Sequence, residues 1–421
     1  MISAFNHPFS LPASALALVL AMLAVPSAYA SSLTLNEALH LAAEHSPALA
    51  AAKAQERSAQ AALNTALAYP NPEIELASGY SQPRQTDVSK GSNALVGISQ
   101  QLELPGLRAA RRQGAEAGIV SGAAALGEAR LNQHSAVTQT FYEVQRRQEE
   151  AALAAENHAL LLLIRNRVKI KVDVGESPRY ELVKSEAEAL AAGSASRSAG
   201  LRVNQAKDQL RTLIGAPLAE NFEIVPEAPI SADLPELNTL RQDLLARQPL
   251  LKQAEAETHK ALARVELERA SRLPQPRLNF VSERDPDINQ WRVGVALPLP
   301  LWNHREGPIG EAVAGLQRAE AEARQVHLGL LSALTQAYGR YQIAKSQVQT
   351  FESGLMKEAE NAMKVAEAAY RFGERGILDY LDAQRVLRNT RVDFLNARYE
   401  LQAALIEIER LRATPITGEK P

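Results

Sequence analysis

The side chains that could do chemistry are spread too thinly along this chain to make a catalytic centre. Its eight histidines, His7, His40, His45, His134, His158, His259, His304 and His327, offer no pair at metal-site spacing beyond a weak match between His40 and His45. They read as surface or packing histidines, and no fixed metal site is expected. There is no cysteine, hence no thiolate nucleophile, no disulfide framework and no thiol for lipid attachment. No Gly-rich phosphate loop, nucleophile elbow or paired-acid motif occurs, which points away from an enzyme and away from a bound cofactor. What remains is charge on helices. Asp379 and Asp382 stand three apart and so share one helix face. Taken alone, such a pair reads as solvated surface charge.

The overall balance narrows the classes further. The formal net charge is −2 over 421 residues, which gives nucleic-acid binding no support. Residues 1–30 hold an apolar core from Leu11 to Val25, interrupted by Pro12 and ending in Ala28-Tyr29-Ala30, without a single Lys or Arg. That run is shorter than the roughly 20 residues a spanning helix needs. It reads as a secretory signal cleaved before Ser31. No later segment is apolar enough to be a membrane helix.

The elements that must carry the charges come in two copies about 200 residues apart. One copy runs Pro70-Asn71-Pro72, Val96-Gly97, Leu104-Pro105, then free of proline to Val174-Gly175-Glu176. The other runs Pro274-Gln275-Pro276, Val293-Gly294, Leu299-Pro300, then almost free of proline to Phe372-Gly373-Glu374. Such a repeat predicts two similar structural units. We therefore divide the chain into a signal (1–30), a first repeat (31–215), a Pro-rich linker wrapping the outside (216–235), a second repeat (236–412) and a tail (413–421).

Each repeat opens with a strong helical composition, residues 33–67 and 237–273, broken near its start at Ser46-Pro47 and Gln248-Pro249. The period then switches to two. Ile74, Leu76, Ser78 and Tyr80 alternate with Glu73, Glu75, Ala77 and Gly79, and a second strand begins near Ala94. In the second copy Leu278 and Phe280 oppose Arg277 and Asn279, followed by Trp291 to Leu299. On alternation alone, a soluble hairpin with one buried face is the simpler reading. An exported chain, aromatics at strand ends (Tyr69, Tyr80, Trp291, Trp302) and a polar loop of unequal length favour strands that cross a bilayer.

After each strand pair the chain turns helical for a long way. A helix from Leu107 to about Val172 would reach roughly 100 Å, deeper than any ordinary core. In the last segment Tyr380, Leu387, Phe394, Leu401 and Ile408 recur every seven residues, with Ala383, Thr390, Ala397, Ala404 and Leu411 three behind, a seam for left-handed packing. A second seam runs Leu334, Tyr341, Val348 and Leu355. The strong breakers are Gly175-Glu176-Ser177-Pro178 and Gly373-Glu374-Arg375-Gly376, so each repeat should end in a helical hairpin turning there. Four tilted strands cannot close a barrel, and an open edge in lipid costs several kcal/mol per unpaired group. Several chains must share one barrel, and three would give twelve strands.

The sequence resembles the TolC-like outer-membrane efflux proteins, and within them the CzcC-like branch associated with heavy-metal RND pumps. The resemblance spans the whole mature chain. It is carried by the duplication, by Leu35-Asn36-Glu37-Ala38-Leu39, by Asn71-Pro72-Glu73, by the run from Gln101 to Arg111 (QLELPGLRAAR), and by Leu297-Pro298-Leu299-Pro300-Leu301-Trp302-Asn303. It implies a mainly α fold with membrane β: a homotrimer whose twelve-stranded barrel lies in outer-membrane lipid and continues into a periplasmic α-helical barrel. It further implies a periplasmic adaptor, an inner-membrane RND pump and divalent metal cations as cargo. Drug efflux and protein export remain open within this class, and a soluble periplasmic coiled-coil adaptor remains open outside it.

The resemblance also assigns residues. It makes Asp379 and Asp382 the periplasmic gate, three copies supplying two stacked carboxylate rings. It makes Glu181, Tyr370 and Arg375 the latch between the two hairpins, Glu181 standing where the family more often has Asp. The turns at Gly175 and Gly373 become the tips that dock the adaptor.

Overall fold

The computed structural model describes residues 32–82, 89–219, 222–230 and 234–414. The signal reading of residues 1–30, its cleavage site before Ser31 and the tail beyond 414 lie outside them. The first repeat begins with β1 (Ser32–Leu33), α1 (Leu35–His45) and α2 (Pro47–Leu67). The hydroxyl of Thr34 accepts from the Glu37 backbone N–H while the Glu37 carboxylate accepts from that of Thr34, a capping box that starts α1. Pro47 then sits at the first turn of α2, where a missing N–H costs nothing. Strands β2 (Glu73–Ser81) and β3 (Gly91–Gln101) lead into α3 (Pro105–Asp173), 69 residues and therefore roughly 100 Å long. Helix α4 (Arg179–Ile214) returns beside it.

Residues 216–235, expected to be a linker on the outside, are partly built into the core. Strand β4 (Glu223–Ile224) lies parallel to β1, and Phe222 and Ile224 are buried with Leu33, Leu41, Phe141, Leu210 and Ile214. Apolar side chains at alternate positions 222 and 224 leave water here, which a free linker would not permit.

The second repeat has α5 (Leu237–Arg247), α6 (Pro249–Ala270), β5 (Arg277–Arg284), β6 (Asn289–Ala296), α7 (Glu306–Thr350), α8 (Met356–Arg371) and α9 (Ile377–Arg412). Strand β6 stops at Ala296, short of the expected Leu299. Pro298 and Pro300 have no N–H for the ladder. A third interruption joins the two glycine turns: residues Phe351–Leu355 form a π-helical turn between α7 and α8, with Gly354 outside helical dihedrals (φ 161°, ψ −26°). The first helix of the second hairpin is therefore broken where α3 is continuous.

The heptad seams are buried at their base, but the second seam fails at Leu355, which is 45% exposed in the π-turn, and Leu387, Phe394 and Leu401 of the first are only half-buried. Leu334, Ala337, Tyr341, Ala404, Ile408 and Leu411 are buried together with Leu240 and Leu244 of α5. A third cluster nearer the hairpin ends joins Leu161, Ile164 and Val168 to Ala189, Ala192, Ile377, Tyr380 and Leu381. Helices α2, α3, α6 and α7 pack side by side in that order, and the strands they join form one antiparallel sheet in the order β2-β3-β5-β6. Helix layer and sheet are thus one continuous wall.

Candidate channel wall and periplasmic mouth

Register divides the sheet into two unlike faces. Ile74 pairs with Ile98, Ile98 with Phe280 and Phe280 with Val293, while Leu76, Val96, Ser282 and Trp291 make the next row. These side chains are exposed: Leu76 by 74%, Trp291 by 71% and Val293 by 68%. A soluble sheet would bury such a row. The opposite face carries Glu73, Glu75, Asn279, Glu283 and Arg292, with Arg277 bonded to Glu73 and Arg292 to Glu283, both at 2.9 Å. Apolar outside and polar inside is the pattern of a barrel strand. Tyr80 and Trp291 lie near the loop end of the sheet, whereas Tyr69 and the almost fully exposed Trp302 flank its helical end, as two interfacial aromatic belts require. Among the described residues no helix is long and apolar enough to cross a membrane.

At the other end the two hairpin turns share one hydrogen-bond scheme. Gly175 donates to Val172 and Glu176 to Lys171; Gly373 donates to Tyr370 and Glu374 to Ala369. Both are Schellman motifs, with φ of 83° at Gly175 and 76° at Gly373. A side chain at either glycine would touch nothing within 4 Å, so the requirement is one of backbone conformation alone.

Around these turns the residues assigned to gate and latch are brought close, with partners that differ from expectation. Asp379 lies in the first turn of α9, where the helix dipole favours a carboxylate. Its ion pair is with Arg375, Nη1 to Oδ2 at 3.4 Å, and the pair is exposed. Arg375, expected to hold Glu181, is thus engaged one turn along its own segment. Asp382 is exposed and lies 3.7 Å from Arg385, which also bonds Glu188 of α4 at 3.2 Å. Glu188 and Arg385 therefore tie the two hairpins together. Sequence reasoning missed them, although Arg385 three residues after Asp382 was a visible signal.

Tyr370 is half-buried, its ring stacked on Tyr380 at 5.8 Å between centroids, with Lys171 Nζ 4.7 Å from its own centroid. Burial, and then the charge of Glu181, push the Tyr370 hydroxyl above its ordinary pKa. Among the described residues that hydroxyl has no hydrogen-bond partner. Glu181 and Tyr370 are thus neighbours without being bonded. No group of three or more His, Cys, Asp or Glu able to hold a metal ion occurs among the described residues.

Known proteins share this architecture. The outer membrane efflux protein family matches residues 38–216 and 240–414, one segment in each repeat. The cobalt-zinc-cadmium resistance protein CzcC of Cupriavidus metallidurans is 27% identical over 394 residues, 92% of this chain and 91% of the relative. Protein CyaE of Bordetella pertussis is 26% identical over 418 residues, 94% of this chain and 86% of the relative. Among solved structures, a membrane protein from Pseudomonas aeruginosa superposes with a TM-score of 0.81 at 17% identity, covering 93% of this chain and 92% of that one. With a family match across both repeats and a sheet dressed for lipid, this chain belongs to the outer membrane efflux protein family, the outer-membrane channels of tripartite efflux systems.

Proposed function

We propose that three copies of this chain close one twelve-stranded barrel in the outer membrane and one helical duct in the periplasm, exporting divalent metal cations delivered by an RND pump through an adaptor. The observation that carries the reading is the sheet itself. Its apolar face is exposed, and β2 and β6 are edge strands, so in lipid further copies must pair with them. The metal cargo is supported by the relative named for cobalt, zinc and cadmium resistance.

In this reading Asp379 and Asp382 line the narrow periplasmic end as the gate, where three copies bring six carboxylates into proximity. Gly175 and Gly373 shape the six tips that meet the adaptor. Glu181 and Tyr370 form the latch across the hairpins, and Arg375 tempers Asp379. Light scattering in detergent should give the mass of a trimer, and a monodisperse water-soluble monomer would sink the channel reading. A deletion strain should become sensitive to zinc, cobalt or cadmium and be rescued by this chain. Sensitivity to drugs alone would overturn the metal assignment.

A further inference from the structure

The sheet carries its charges on one face, with a single exception. Odd positions of β2, β3 and β5 and even positions of β6 point to the polar side, and every carboxylate of the four strands lies there: Glu73, Glu75 and Glu283. Two of the three strand arginines lie there as well, Arg277 on Glu73 and Arg292 on Glu283, each at 2.9 Å. The third does not. Arg284, the last residue of β5, stands at an even position and so shares the apolar face with Leu278 and Phe280. It is exposed, and among the described residues it has no ion-pair partner.

Register gives this one charge a definite height. Arg284 pairs with Ala94 of β3 and Asn289 of β6, one row beyond Ser282 and Trp291, at the loop end of the sheet. From Leu102 to Ala94 a strand tilted by about 40° rises roughly 20 Å, and Trp302 lies beyond Leu102, so Arg284 stands at the far edge of an apolar band about 25 Å tall. An arginine facing lipid is disfavoured at the midplane and tolerated at the interface, and the rim row is where this one is found. The opposite rim has no such charge: Gln100, Leu102 and Leu278 occupy the helical end of the same face. The helices leave the sheet at that end, so in the outer membrane the loop end lies in the outer leaflet. A charge needed only for solubility would serve both rims. This one serves the outer leaflet alone.

We propose that Arg284, with Trp291 diagonal to it across the β5–β6 pair, forms a lipid-facing site for the phosphate of an outer-leaflet glycolipid, one site per chain. The planar guanidinium fork matches a phosphate by two parallel hydrogen bonds, and an indole sits at the level where headgroup meets acyl chain. The inference rests on the channel reading, because only there does this face meet lipid.

Native mass spectrometry on the full-length protein in detergent, titrated with lipid A or with the same glycolipid stripped of its phosphates, tests the site. The unaltered protein should retain lipid A with about fivefold preference, and Arg284→Gln should bring that preference close to one. Arg292→Gln removes an equal charge from the inward face and should leave the preference unchanged. Equal retention of the two glycolipids by the unaltered protein, a comparison that needs no variant, would overturn the site. So would an undiminished preference in Arg284→Gln, or a matching loss in Arg292→Gln, which would mark the effect as one of net charge. Equal retention of phosphatidylglycerol would overturn the choice of a glycolipid. A water-soluble monomer would sink the channel reading itself, whereas a detergent-embedded trimer indifferent to the phosphates would sink the site alone.

Discussion

Arg375 and Asp379 form an ion pair one helical turn apart, Nη1 to Oδ2 at 3.4 Å, beside the glycine turn of the second hairpin. Both side chains are more than half exposed, so the pair contributes under about 1 kcal/mol to stability. Its consequence is electrostatic: a cation sits beside one of the two carboxylates that would ring the mouth.

Neutralising the ring and stripping its cation should therefore have opposite effects. Asp379→Asn with Asp382→Asn should lower the cation-to-anion permeability ratio by several-fold, and Arg375→Gln should raise it by up to about fivefold, since one charge at a solvated site is worth on the order of 1 kcal/mol. Reversal potentials under a salt gradient check both signs, and equal ratios in all three proteins would move the selective region elsewhere.

Gly373→Val should impair the tip without touching the wall. The left-handed conformation at φ 76° costs a β-branched residue about 1–2 kcal/mol, and nothing else lies within reach of its Cβ. Crosslinking to the adaptor should fall while the trimer persists on native gels. Full crosslinking with normal efflux would show that the turn conformation is irrelevant to docking.

Leu76 and Glu75 are chain neighbours on opposite faces of β2. Leu76→Arg should reduce the folded yield in lipid vesicles, costing about 2–4 kcal/mol if it lies near the bilayer midplane, whereas Glu75→Arg should insert almost normally. Equal yields would contradict the assignment of the faces.

Glu409 of α9 is pushed up to about 7 by burial, which the charge of Arg412 only partly offsets. A carboxyl whose folded pKa exceeds its unfolded value stabilises the fold when protonated, and stability falls as pH rises from about 4.5 to about 7. Glu409→Gln should therefore raise the unfolding free energy at pH 8, on the order of 1 kcal/mol after allowing for partial exposure, and change it little at pH 4. A gain of the same size at both pH values would point to packing instead.

Much of this protein was legible in its sequence because the signals are local. Pro47 and Pro249 begin helices wherever they stand, since each lacks only an N–H that a first turn leaves unpaired. Gly175 and Gly373 end them by a conformation other residues avoid. Alternation at Ile74, Leu76 and Tyr80 sets a strand with two faces, and the seven-residue seam through Tyr380 and Ile408 sets a packed helix. Tertiary structure alone decided what depends on groups far apart in the chain. The order β2-β3-β5-β6 follows from how helices α2, α3, α6 and α7 lie side by side. Burial of Phe222 and Ile224 depends on the space left between α1, α3 and α4, so composition alone made their segment look like a free linker. Arg375 had two acidic candidates, and the shorter reach from the turn to Asp379, four residues on in the first turn of α9, won. The break at Gly354 was written as one glycine in a helical run. One glycine in a helix is usually tolerated, and the π-turn at Phe351–Leu355 is visible only in the structure.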